Sequence, residues 1–589
     1  MKKIKKFSLA GIACLSVAGL ACVLSGCDFA SEETWTEYKY TCSKVSGTDF
    51  YKRQTLFYTG LTDSVTKEKD TRTITAYYKE GEEICYVDVL EMTEAFSEDY
   101  TSSTSGYDPD WQFTYEDGKA TASYVGQGGV RQSIVIDASD NSVVISSPNY
   151  YSLYFEGEGH SSYDEFDYDI NAYAQNSFSF DLDDYNLSAY NIDGKVLLPS
   201  AIYDLIYTQE IGIDYYYIDG ILYADSGNES YQGVSTTAPT EAIRELTYNY
   251  FLLFFHKYYG LSPYKGLTTV AKIEEFLSPY KDAILSTYRS IFEPAEQKIF
   301  GELVDDPHSG VNRKSIYHRE TYTVESSYGD RTYAISENYS KYSSLRESAS
   351  TTGVTSLTTS AGVEVAKVYG DTAFISFDEF AYISAKNDIS DEKYVGSDTD
   401  TLMYVALQKI GAYSANTQTI NNVVVDLTTN TGGYVIEGMG LLSFMTNDTI
   451  TYTYDYLDTN THGTWTVNVD NDNDGDTTDD DAYTQYNWFI ETSNVSFSCG
   501  NLVPFLAKEY GYATILGGTS SGGMCVVGTG VLPDGTYFQK SSPLMRNCAV
   551  NETSDSRSCE DGVLPDKGFS YNLYYDYAYI SSLCDTLSA

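Results

Sequence analysis

Positive charge is scarce in this chain: 37 Lys and Arg stand against 84 Asp and Glu in 589 residues, a net charge of −47. Phosphate backbones are held by clustered cations, so this balance argues against nucleic acid as a partner. Histidine is scarcer still, with five residues. No HExxH and no zinc-type Cys/His spacing occurs, which leaves metalloprotease chemistry without support. Cysteines are few and none lie in a CxxC pair, so cysteine usage decides little. Beyond the N-terminus no segment has the roughly 18 apolar residues needed to span a bilayer. Four Trp accompany 58 Tyr. The tyrosines read mainly as amphipathic strand residues with a polar tip, and secondarily as a sugar-stacking surface.

A chain of this length supports two or three domains, each with its own core. Lys2, Lys3, Lys5 and Lys6 form a basic start, Phe7 to Val23 an apolar stretch, and Leu24-Ser25-Gly26-Cys27 a small-residue cleavage site. That tetrapeptide resembles a bacterial lipobox. The resemblance implies a signal peptide over 1–26, lipid attachment to Cys27, and an exported protein tethered to the outer face of the cell membrane. Seven cysteines follow Cys27. Cys42–Cys85 and Cys548–Cys559 are the pairs to test in an oxidising compartment, with buried free thiols the alternative.

Residues 27–240 read as a β-rich, acidic accessory region, with a small α+β module near 176–226. Residues 241–310 have helical apolar spacing, punctuated by Pro263 and Pro279. His256 lies on an apolar face and reads as a packed core histidine. Residues 311–361, rich in Ser, Thr and Tyr, read as a linker or flap. From 362 to 589 strands and helices alternate, the pattern of a mixed α/β core.

Three segments carry chemistry. Ser498 precedes an apolar helix beginning near Asn501, which puts the Cys499 N–H at a helix N-terminus, where negative charge is favoured. Ser498 could equally serve only as the cap of that helix. The strand NVVVDL (422–427) ends near Gly432-Gly433, whose backbone can approach a reacting carbonyl. His308, in LVDDPHSG (303–310), is the best placed of the few histidines, among acidic neighbours that favour its protonated form. A serine hydroxyl needs a base and oxyanion donors, and each segment could supply one part.

Together these segments resemble peptidase family S41, the tail-specific and C-terminal processing proteases with their tricorn-like relatives. LVDDPHSG is similar to the family's histidine motif and VVVDLTTNTGG to its strand motif, with Thr428 in place of an arginine. SFSCGNLVPFLAKEYG is similar to its nucleophile helix, and CEDGVLPD (559–566) to its closing motif. The resemblance covers about 240–589, with the motifs in family order and no PDZ domain between them. It implies a multidomain chain: a β-rich N-terminal region, a helical segment, then an α/β core of crotonase/ClpP-like ββα type. By resemblance Ser498 is the nucleophile, His308 the general base and Glu560 the third catalytic residue, with Glu552 and Asp561 left open. Cys499 and Gly432 or Gly433 would form the oxyanion hole. Gly523 stands where the processing branch carries its catalytic lysine, so the chain is closer to the Ser/His branch. The implied substrate is a protein or peptide; the alternative is a silent relative that binds peptides or glycans.

Two further patterns compete or add. Gly518-Thr519-Ser520-Ser521-Gly522 matches a G-x-S-x-G elbow, but strand and turn, not helix, follow it. Asp470, Asp472, Asp474, Gly475, Asp476, Thr478 and Asp481 follow calcium-loop spacing, with Asp481 replacing the usual final Glu. Strand-like flanks predict a hairpin over 466–485 holding a structural Ca2+.

Overall fold

In the computed structural model, residues 34–588 are described apart from 38–39, 60–69, 98–109, 126–129, 148–149, 152–163, 168–176, 226–234, 320–324, 384–388, 457–460, 470, 472–480 and 548–558. Cys27 and Glu552 lie outside the described residues, as does the calcium-loop pattern apart from Asp481. Among the described residues no helix is long and apolar enough to cross a membrane.

The chain is multidomain. Its N-terminal region is β-rich, built on a nine-stranded and a five-stranded sheet. Tyr77, Tyr78, Tyr124, Tyr203 and Tyr207 are buried there, so tyrosine rings supply core as well as strand faces. The elements read near 176–226 all form, but Lys195–Pro199 and Ile221–Asp225 pair with strands from 50–88. Phe178–Asp181 joins the five-stranded sheet and the later strands the nine-stranded one, so the segment is not a separate module.

The helical segment packs an aromatic core around Phe251, Phe254, Phe255 and Phe300. His256 accepts or donates a 2.7 Å hydrogen bond with the Tyr185 hydroxyl, a structural role. Two stretches, Phe254–Tyr258 and Ile299–Leu303, are wound as π-helix, a distortion that recurs near functional sites. The second delivers the chain to Asp305, at φ 43°, and so to His308.

The stretch expected as linker or flap contains the 18-residue helix Asp330–Glu347. Only Tyr342 in it is fully buried, with Ile335, Tyr339 and Leu345 partly buried on the same cluster, and ion pairs hold both of its ends.

The core is a seven-stranded sheet in the order 355–358, 364–369, 372–376, 422–426, 487–492, 514–517 and 567–568. The last five run parallel to one another. Strand Asn422–Asp426 is buried at all five positions, as expected of a central parallel strand. The helices Thr399–Asn416 and Cys499–Tyr510 pack with this sheet, and Val435–Ser443 packs on those two helices and on Thr461–Val469 and Ile450–Tyr456. A six-stranded sheet flanks it and joins Gly310–Arg313, just after His308, to Tyr537–Asn547. The predicted hairpin over 466–485 is not formed. Thr461–Val469 pairs back with Ile450–Tyr456, whereas Asn487–Thr492 enters the parallel sheet, so the acidic loop connects two sheets.

Candidate active site

Parallel sheets gather loops at the carboxyl ends of their strands. Here the loops after Asn422–Asp426 and Asn487–Thr492 are tied together by hydrogen bonds. Ser493 Oγ donates to the Thr428 carbonyl at 2.6 Å, Ser496 Oγ to Leu427 at 2.7 Å, and the Phe497 N–H to Asn430 at 3.1 Å. This lattice fixes where Ser498 can stand.

Ser498 has φ 55° and ψ −122°. A non-glycine residue there is strained, and such strain persists where the surroundings over-determine it. Its N–H donates to the Gly522 carbonyl at 2.9 Å. Its side chain makes no capping hydrogen bond to the helix Cys499–Tyr510, so the cap role is not the one it plays. Gly432 explains why no side chain is tolerated opposite: a Cβ there would lie 2.6 Å from Ser498 Cβ, and its φ is 115°.

Cys499 opens the helix, so its N–H has no intrahelical partner. Burial pushes its thiol up to about 12, which makes it a poor thiolate beside the serine. The two glycines differ. Gly432 donates its N–H to Asn430 Oδ1 at 2.9 Å and its carbonyl accepts the Phe380 N–H at 2.8 Å. Gly433 forms a parallel bridge with Phe380, in which Tyr434 donates to the Phe380 carbonyl, so the Gly433 N–H faces away from it. Gly433, Ser498 and Cys499 line one cavity of about 640 Å³, with Phe380, Tyr382 and Val527 among its other walls.

His308 is buried, its ring 4.6 Å from that of Phe497, the residue before the nucleophile candidate. Its Nε2 is buried without a hydrogen-bond partner among the described residues. Ser541 Oγ stands 3.5 Å from Nδ1, and Gln539 donates to the His308 carbonyl at 3.1 Å. Asp306 accepts the His308 backbone N–H at 3.0 Å, the Ser309 hydroxyl at 2.8 Å and the Tyr259 hydroxyl at 3.2 Å. The acidic neighbours were expected to favour the protonated ring, and burial overrides them. Desolvation pushes His308 below its ordinary value; Asp306 and Glu560 oppose this, and Arg331 adds to it. Burial pushes Asp306 up, but the charge of His308 and the hydrogen bonds it accepts hold it below the usual carboxylate range.

Glu560 is buried, and both its oxygens are committed. One accepts the N–H groups of Gly523 at 3.1 Å and Met524 at 3.0 Å; the other takes Arg331 Nη1 at 2.6 Å. No hydrogen bond links it to His308. Asp561 accepts from the Tyr264 hydroxyl at 2.7 Å. Ser520 is buried, donating to Asn501 Oδ1 and accepting the Val563 N–H, each at 2.7 Å. A strand, Cys525–Val531, follows it, so no nucleophile elbow forms. Cys42 and Cys85 are both buried, and Cys548 lies outside the described residues. Among the described residues no group of three or more His, Cys, Asp or Glu is arranged to hold a metal.

Sequence reading missed Arg331, Ser541 and the Arg346–Asp378 pair. Arg346 grips Asp378 through both nitrogens at 2.7 and 2.9 Å and reaches Thr429 at 3.1 Å. These come from segments far apart in the chain, and no local pattern marks them.

No curated protein matches the chain. Among solved structures, a peptidase from Parabacteroides merdae aligns at 11% identity over 59% of this chain and 97% of its own, with a TM-score of 0.39. Mature CPAF complexed with lactacystin aligns at 12% identity over 59% and 98%, with a TM-score of 0.36. The tricorn protease aligns at 12% over 93% of this chain and 59% of its own, with a TM-score of 0.29. The family model described as peptidase family S41 matches residues 373–566, within the α/β core.

Proposed function

We propose that the chain is a serine endopeptidase that cleaves proteins or peptides through a Ser498 acyl-enzyme. The observation that carries this reading is the strained Ser498 backbone, with its side chain uncommitted to the helix and facing a cavity. Strain of this kind at a serine between a glycine pair and a helix N-terminus serves chemistry better than stability. His308, neutral because it is buried, takes the Oγ proton through Nε2 as Oγ bonds to the substrate carbonyl carbon. The resulting oxyanion receives the N–H groups of Cys499 and Gly433, which costs little because both are fixed before substrate arrives. The C–N bond then breaks and His308 returns its proton to the leaving amine. Water, deprotonated by the same ring, releases the acyl group. Gly432 is spent on Asn430, which favours Gly433 as the second donor. The aromatic and aliphatic walls of the cavity suit an apolar side chain beside the cleaved bond.

We further propose that Cys27 carries a lipid that holds the protein outside the cell membrane, and that the 470–481 loop binds a structural Ca2+. Loss of palmitate incorporation in Cys27→Ala tests the first; a calcium-dependent rise in Tm tests the second.

The test of the main reading is labelling of the full mature chain with a fluorophosphonate probe. Labelling lost in Ser498→Ala and His308→Ala but kept in Ser520→Ala is expected. Equal labelling in all variants, or in none, rejects it.

A further inference from the structure

The helix Asp330–Glu347 fully buries only Tyr342, and its first turn reaches the back of the nucleophile turn. Arg331 Nη1 meets Glu560 at 2.6 Å, and Nη2 donates to the Ser521 carbonyl at 2.8 Å. Its own N–H donates to Asp305 Oδ1 at 2.9 Å, which anchors the helix start to the loop leading into His308. Glu560 passes the constraint on, because its other oxygen accepts the Gly523 and Met524 N–H groups. Between those contacts the Gly522 carbonyl accepts the Ser498 N–H at 2.9 Å. The turn has no slack: a Cβ on Gly523 would lie 2.8 Å from Ser498 N, and one on Gly522 would lie 2.0 Å from the Glu560 carbonyl.

We propose that Arg331 is a positioning residue for the reaction, holding Glu560 on the 521–524 turn so that Ser498 keeps its strained backbone beside His308. This rests on the serine peptidase reading above. Glu560 alone could not do it as well. A buried carboxylate without a partner carries a large desolvation cost and turns toward any other cation or donor, and the guanidinium removes that alternative. Arg331 suits the task because one planar group satisfies a carboxylate and a carbonyl together, which a lysine cannot copy fully. The arrangement gives a helix outside the family-matched segment direct control over the nucleophile's geometry.

The charged and titratable groups around His308 are Asp306, Glu560 and Arg331, with Tyr259 on Asp306 and Lys265 coupled to Asp306, Arg331 and Glu560. Arg331 lowers the basicity of His308 and Glu560 raises it, so deleting the cation moves the acid limb of reactivity to higher pH.

The experiment measures the second-order rate of fluorophosphonate labelling against pH for the full chain, Arg331→Met, Arg331→Lys, Glu560→Gln and the double variant Arg331→Met/Glu560→Gln. Arg331→Met is expected to label about 10²-fold more slowly, the cost of moving a reacting group by about 1 Å. Its acid limb should lie at higher pH, and its Gly523 and Met524 amides should exchange faster. Arg331→Lys should recover part of the rate. The double variant should be little slower than the worse single one, since both break one chain of contacts. Wild-type protein that resists the probe sinks the peptidase reading and this inference with it. Wild-type protein that labels, with Arg331→Met keeping its rate and pH profile, overturns the inference alone. So does a folded Arg331→Met whose loss adds fully to that of Glu560→Gln.

Discussion

Ser498 and His308 are held by different means. Backbone constrains the serine: its N–H on Gly522, the Phe497 N–H on Asn430, and glycines at 432 and 523 that leave no room for a Cβ. Side chains constrain the histidine: Asp306, Ser541, Gln539 and the Phe497 ring, drawn from three separate stretches of chain. Backbone positions tolerate many sequences but few shapes; side-chain positions tolerate many shapes but few sequences. The nucleophile should therefore be sensitive to any added atom, and the base to loss of particular groups.

Variants can sharpen that contrast. Ser498→Ala should lose labelling and peptidase activity by about 10⁶-fold, with His308→Ala close behind, because nucleophile and base act as a unit. A variant with a substantial residual rate at Ser498→Ala would move the nucleophile elsewhere. Gly432→Ala adds one methyl group on the backbone side. It should cost about 10²-fold in labelling and about 1–3 kcal/mol in stability, read by urea unfolding; a neutral result would mean the turn is looser than its geometry.

On the base side, labelling should rise with pH with a midpoint below the ordinary histidine value of 6.5, since burial disfavours the charged ring. Asp306→Asn removes a charge that raises His308, so its midpoint should fall further. The rate should drop roughly tenfold, the equivalent of one charge-assisted hydrogen bond. A midpoint that rises instead would show that Asp306 does not sense the ring. The smallest effect on rate is expected at Ser520→Ala, which takes the serine hydroxyl away from Asn501 Oδ1 and from the Val563 N–H. It should lower stability by about 1–3 kcal/mol and leave labelling unchanged; lost labelling would reopen the competing elbow.

Much of the core was legible from sequence because its signals are local. NVVVD is apolar at every step and reads as a buried strand, a Gly pair reads as a backbone approach, and a serine before an apolar helix reads as a helix start. The helix Asp330–Glu347 was not legible, since its packed stripe, Ile335, Tyr339, Tyr342 and Leu345, is half tyrosine and set among polar residues. The hairpin expected over 466–485 failed for a related reason: strand-like flanks do not say which sheet each flank will join.

Sequence alone determined the order of the motifs, the shortage of cations, the serine-before-helix arrangement and the candidate base, because each is written in neighbouring residues. Tertiary structure decided the rest. It separated Gly433 from Gly432 through a single hydrogen bond to Asn430, and drove His308 toward its neutral form by burial against the pull of nearby acids. It also gave Glu560 to a backbone turn and to an arginine 229 residues away in the chain. Burial, hydrogen-bond partnership and charge separation depend on what the fold brings close, and that distance is set by packing, not by spacing along the chain.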